Sequence, residues 1–128
     1  MNVIDENIIQ SQRDRLTEMK IHYRQIGFEI GRRGMKDHND VIPLLHGLRR
    51  PTFFTRDQDY YDPELRHAGY CLVYLDVGPD EAAEFIRRFL RHPSFRAQAG
   101  RMGKVARVHR SGLSYWQIDE IRKRDLDW

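Results

Sequence analysis

Residues 71–77, Cys-Leu-Val-Tyr-Leu-Asp-Val, form a nearly continuous run of apolar, β-prone side chains. Alternating apolar and polar residues would mark a strand with one wet face. A continuous run marks a strand buried on both faces, the condition of a parallel sheet covered by helices. The next segment supplies such a helix: Gly78-Pro79-Asp80-Glu81 is a start signal, and Ala82, Phe85, Ile86, Phe89 and Leu90 hold an i, i+3, i+4, i+7, i+8 stripe before Pro93 stops it.

The alternation extends along the chain. Asn2–Asp5 reads as a short strand ending in acids, and Ile9, Leu16 and Met19 mark an amphipathic helix over 8–20. Ile21, Tyr23 and Ile26 outline a second strand leading into the Gly27 turn, after which Gly31 and Gly34 bracket a basic loop. Val41, Ile42, Leu44, Leu45 and Leu48 have helical spacing, with Asp37 as the cap and Asp40 in the first turn, where the dipole favours an acid. Gly47 and Arg49-Arg50-Pro51 close that helix, and Thr52–Thr55 follows as a strand. Val105–Val108 and Leu113–Trp116 flank Ser111-Gly112 as a hairpin at the sheet edge, and 117–128 reads as a short helix. No repeat, low-complexity tract or linker interrupts the pattern. The expected fold class is therefore α/β: a three-layer α/β/α sandwich with a mainly parallel central sheet, residues 1–128 forming a single domain.

Composition narrows the classes further. With 40% hydrophobic residues, two Trp, six Tyr and six Phe, the chain carries more core-forming material than disordered chains do. Cys71 has no partner cysteine, which excludes a disulfide scaffold and suits a buried thiol in a reducing compartment. No segment approaches the roughly 20 continuous apolar residues of a membrane helix. The opening Met-Asn-Val-Ile-Asp-Glu-Asn has no basic or apolar signal region, so a cytoplasmic protein without membrane partners is expected.

Charge is unevenly spread. Eight basic residues within 82–118 (Arg87, Arg88, Arg91, Arg96, Arg101, Lys104, Arg107 and Arg110) face the single acid Glu84. Such a run attracts a polyanion, and guanidinium forks suit phosphate. Arg87, Arg88 and Arg91 lie off the apolar stripe, so they and Arg107 are the expected contacts to an RNA backbone; a solvated arginine-rich face is the plain alternative.

Carboxylates gather at predicted strand ends. In an open parallel sheet the active site forms at the carboxyl ends of the strands. Asn2–Ile4 runs into Asp5-Glu6, and Thr52–Thr55 into Arg56-Asp57-Gln58-Asp59. If the two strands are neighbours, Asp5, Asp57 and Asp59 meet, with Asp37 and Asp40 in reach. The two-residue spacing of Asp57 and Asp59 points both the same way in extended chain. Four or five such acids repel without a cation, and hard oxygen ligands suit Mg²⁺ or Mn²⁺, which support phosphodiester hydrolysis. Thr55 would orient a carboxylate or a phosphate oxygen through its hydroxyl. Taken singly, each acid is also an ordinary loop or capping residue.

These residues carry a resemblance. Ile4-Asp5-Glu6-Asn7, then Gly34-Met35-Lys36-Asp37 with Asp40, then Phe53-Phe54-Thr55-Arg56-Asp57-Gln58-Asp59-Tyr60, resemble the PIN domain superfamily, in particular its small prokaryotic members. The resemblance implies an Mg²⁺- or Mn²⁺-dependent ribonuclease, often the toxin of a toxin–antitoxin pair, with RNA, an antitoxin protein and a second copy of the chain as partners. It places the catalytic acids on Asp5, Asp57 and Asp59, with Asp40 or Asp37 as the middle acid. The corresponding alternative is a non-catalytic PIN-like module that binds RNA or protein.

Other chemistries find less support. None of the six His stands in an HExxH arrangement, no GxGxxG fingerprint or P-loop is present, and Cys71 within a strand reads as core. A phospho-accepting receiver would need a lone Asp and a later strand-end Lys, whereas here the acids are paired and Cys71–Val77 leads to Gly78-Pro79. Tyr60 and Tyr61 would either stack on bases or pack at the sheet edge, with packing preferred.

Overall fold

In the computed structural model, which describes residues 1–35 and 38–128, the apolar run at 71–75 is the middle strand of a seven-stranded sheet. The elements in chain order are β1 (Asn2–Ile4), α1 (Gln10–Glu18), β2 (Arg24–Gln25), α2 (His38–His46), β3 (Thr52–Thr55), β4 (Cys71–Leu75), α3 (Ala82–Arg91), α4 (Gln98–Arg101), β5 (Lys104–His109), β6 (Gly112–Gln117) and β7 (Arg124–Leu126). Two single-turn 3₁₀ helices, Gln58–Tyr60 and Pro63–Leu65, lie between β3 and β4. The strand order is β2-β1-β3-β4-β5-β6-β7. The first five strands are parallel, β6 runs antiparallel to β5, and β7, antiparallel to β6, returns to the direction of the first five.

Strand alternation sends side chains to two separate cores. Val3, Phe53, Leu72 and Val105 pack with Val41 and Leu45 of α2. Ile4, Phe54, Val73 and Ala106 pack with Leu16 of α1 and with Phe85, Ile86 and Phe89 of α3. Both faces of the central strands are thus buried, as the continuous apolar run requires, and the α/β architecture is compatible with a three-layer sandwich. Cys71 is fully buried, which pushes its thiol up to about 12. No helix among the described residues is long and apolar enough to cross a membrane.

The C-terminal segment differs from expectation. Residues 117–128 do not form a helix; β7 pairs with β6, so the 104–117 hairpin lies inside the sheet and β7 is the edge. The reason is a two-residue period. Leu126 and Trp128 both pack onto the α3-side core, and the Trp128 indole N–H donates to the His109 carbonyl at 2.7 Å. The basic run also contributes to the interior: Arg101, 7% exposed, donates to Thr52 Oγ1 at 3.0 Å and to the carbonyls of Phe95 and Arg96 at 2.8 and 3.2 Å.

One topological feature positions the site. The β1–β2 connection places α1 with the α3-side core, whereas the β2–β3 connection places α2 against the other. The winding therefore reverses between β1 and β3, and that reversal opens a crevice at their carboxyl ends. Phe54, fully buried and edge-on to Phe89 at 5.7 Å, holds β3 to α3 beneath this crevice. Phe54→Ala should cost about 3–5 kcal/mol, read as a lower urea midpoint at unchanged m-value.

Candidate functional site

At the carboxyl end of β1 the Asp5 N–H still donates to the Phe54 carbonyl at 2.9 Å, so Asp5 lies beside Thr55 on the α2 face of the sheet. The Thr55 hydroxyl donates to Asp5 Oδ2 at 2.6 Å and accepts from the Asp57 N–H at 3.0 Å. Asp5 Oδ1 accepts from the Glu6 N–H at 2.7 Å. One threonine thus fixes both the first acid and the chain leading to the second. Arg56 anchors the same segment from outside, donating through Nε and Nη2 to the Val77 carbonyl at 3.2 and 3.1 Å. Asp5, Glu6, Asn7, Met35 and Asp57 line a cleft of about 480 Å³.

Asp5 is 5% exposed, and this burial raises its pKa. The hydrogen bonds from Thr55 and the Glu6 N–H act in the opposite direction, while the neighbouring charges of Asp57 and Glu6 add to the rise.

Of the five acids expected to cluster, the four that the structure describes divide among different places. Asp5 and Asp57 share the cleft. Asp57 and Asp59 do not point the same way, because the chain is not extended there: Asp57 caps the 3₁₀ turn, its Oδ1 accepting from the Asp59 N–H at 2.9 Å. Asp59 instead lines an adjoining cleft of about 750 Å³ with Tyr61, Tyr74, Asp76 and Arg107. Asp40, in the first turn of α2, sits 3.7 Å from Arg32 and lines neither cleft. Asp37 lies outside the described residues. Among the described residues no group of three or more His, Cys, Asp or Glu is arranged to hold a metal ion. The donor chemistry of Asp5 and Asp57 nevertheless fits Mg²⁺ or Mn²⁺, since Mg²⁺ commonly takes one or two carboxylates and completes its shell with water and phosphate oxygens.

The arginines divide by layer. Arg87 and Arg88 engage Glu84 at 2.7 and 3.1 Å, and with Arg91 they line a groove next to Trp128 on the α3 side, the layer opposite Asp5 and Thr55. Arg107 belongs to the site's own face. Thr55, Tyr74, Arg107 and Ser114 are successive register partners and continue the line that begins at Asp5. Arg107 is bound to Asp76 at 2.6 Å, which holds the Asp76 carboxyl below its ordinary range. Tyr61 reaches across this row to Ser114 at 3.0 Å. Tyr60 packs edge-on to Phe53 in the core. Glu6, Tyr74 and Asp76 were not singled out from sequence. Asp76 follows the strand 71–75 as Asp5 follows the first, and the rule that selects Asp5 selects it too.

Comparison with protein-family models, with curated proteins and with solved structures finds no match for the chain. The strand order β2-β1-β3-β4-β5 serves unrelated ligands in doubly wound sheets, so function must be argued from the crevice residues.

Because its folded pKa is raised, Asp5 keeps its proton where the unfolded chain has lost it. Stability therefore falls as pH rises from the ordinary value of 3.8 through the higher folded value. Thr55→Val removes a hydrogen bond that favours the ionised carboxylate. It should extend that fall to higher pH and cost about 1–3 kcal/mol at neutral pH, measured by denaturation across pH 4 to 8. In Asp5→Asn this contribution to the slope should vanish.

Proposed function

We propose that this chain is a PIN-like, Mg²⁺- or Mn²⁺-dependent ribonuclease, a three-layer domain whose reaction centre is the Asp5–Thr55–Asp57 crevice. The observation that carries the reading is a buried acid at the β1–β3 reversal, tied by one threonine to a second acid on the same cleft. Asp5 and Asp57, the two acids on that cleft, would hold the cation. Bound there, the cation supplies charge stabilisation for phosphodiester hydrolysis. The chain's own residues set the terms. Thr55 and the Glu6 N–H fix the Asp5 carboxylate before any ligand arrives. Burial keeps a proton on Asp5 more firmly than on an ordinary carboxylate, so occupancy requires that proton to leave and should strengthen as pH rises. RNA, an antitoxin protein and a second copy of the chain are the partners that the family resemblance implies, and the buried, unpartnered Cys71 thiol suits a cytoplasmic setting.

The second reading is a non-catalytic PIN-like module. It is favoured by one observation: no three-residue ligand group forms among the described residues.

Cleavage of a labelled, structured RNA with Mn²⁺ and with EDTA tests the choice. Cutting should need the metal. Thr55→Val should lower it roughly ten- to hundredfold, and Asp57→Asn should abolish it. Equal cutting by Asp57→Asn would displace the centre, and no cutting by folded protein under any metal would favour the binding module.

A further inference from the structure

Phe28 stands out among the described residues as an aromatic ring left 52% exposed. The Arg13 guanidinium lies over this ring at 4.9 Å from its centroid, and that of Arg33 at 5.6 Å. Arg13 spends its hydrogen bonds on neutral partners, donating to Gln25 Oε1 at 2.5 Å and to Gln10 Oε1. Its charge is therefore not met by a carboxylate through these contacts, in contrast to Arg87 and Arg88 with Glu84 or Arg107 with Asp76.

Three connections join this ring to the Asp5 cleft. Buried Gln25 links Arg13 to the site, its Nε2 donating to the Asp5 carbonyl at 3.2 Å. Glu6, which lines the cleft, accepts from the Gly34 N–H at 2.9 Å and so ties down the far end of the Phe28 loop. At the near end Gly27 has φ +87°, and a Cβ there would sit 3.1 Å from the Glu6 carboxyl carbon. The loop acids face inward: Glu29 accepts from the Gln25 N–H at 2.8 Å, just as Glu6 accepts from Gly34.

We propose that Phe28, Arg13 and Arg33 form a platform for an unpaired stretch of RNA at the mouth of the Asp5–Asp57 cleft. A base stacks on the ring or on a guanidinium plane, and the arginines neutralise the adjoining phosphates. Single-stranded bases are read by such stacking, while paired bases are shielded by their neighbours. The proposal deepens the ribonuclease reading by assigning the strand's contacts to this platform, and it rests on that reading only for the identity of the strand. It also moves the principal RNA surface from α3 to the layer edge beside the acids.

The test is fluorescence anisotropy of a labelled, unpaired 12-nucleotide RNA in EDTA, where binding is read without cleavage. The parent should prefer it to a 12-base-pair duplex. Phe28→Ala should weaken binding roughly tenfold to hundredfold, and Phe28→Tyr should restore it. Arg33→Ala should reduce the slope of log affinity against log salt by about 0.7 for each phosphate that the guanidinium neutralises. Because Phe28 is exposed, Phe28→Ala should melt with the parent. Folded Phe28→Ala binding as tightly as the parent would overturn the platform even if Mn²⁺-dependent cutting were intact, and so would equal affinity for duplex. A chain that binds in this Phe28-dependent way yet cuts nothing would keep the platform and remove the ribonuclease reading.

Discussion

The hydrogen bond from Thr55 to Asp5 crosses the boundary between β1 and β3 where the winding of the sheet reverses. Helical layers diverge there, and the space beyond the strand ends is the cleft that Asp5 and Asp57 line. The threonine is the last residue of β3 and is fully buried, so it meets Asp5 at a fixed distance set by strand pairing rather than by loop conformation. Acceptance from the Asp57 N–H then fixes the first step of the outgoing chain. A buried carboxyl would otherwise have to be neutral or poorly placed. Here the sheet itself supplies its partner.

Much of this arrangement is legible in the amino-acid sequence alone. Strand 52–55, helix 82–91 and the hairpin around Ser111 appear where hydrophobic period and turn chemistry put them. Each is governed by contacts within a few residues or by the burial of its own side chains. The adjacency of Asp5 and Thr55 follows from the class of sheet, and the strand order supplies it. What the sequence obscures depends on longer-range facts. The two-residue spacing of Asp57 and Asp59 aligns them only in extended chain, but Asp57 finds its nearest donor two residues on, and with that local turn Asp59 lines another cleft. The C-terminal segment carries few apolar residues, so its two-residue period rests on Leu126 and Trp128 alone and is easily missed.

The basic run shows why charge counts mislead. Its eight members look alike in sequence, yet Arg101 is a core residue, Arg107 is braced by Asp76, Arg110 by Glu81, and Arg87 and Arg88 share Glu84. Glu84 is one helical turn from its arginines, but Asp76 and Glu81 are 31 and 29 residues from theirs and meet them only once the fold forms. Arg13 and Arg33, in the half of the chain with no net positive charge, meet an exposed ring instead.

The two edges of the sheet complete the picture. β2 contributes two residues and β7 three, and both bear arginine, while the six-residue strands lie inside. Short, charged edges offer few free backbone groups in a row to an incoming strand. Among the described residues, then, the sheet has little capacity to grow sideways into a neighbour. Self-association by edge pairing is discouraged, and crowded or partly unfolded chains lack a ready template for stacking into fibrils. A partner must come to the helical layers or to the open end of the strands.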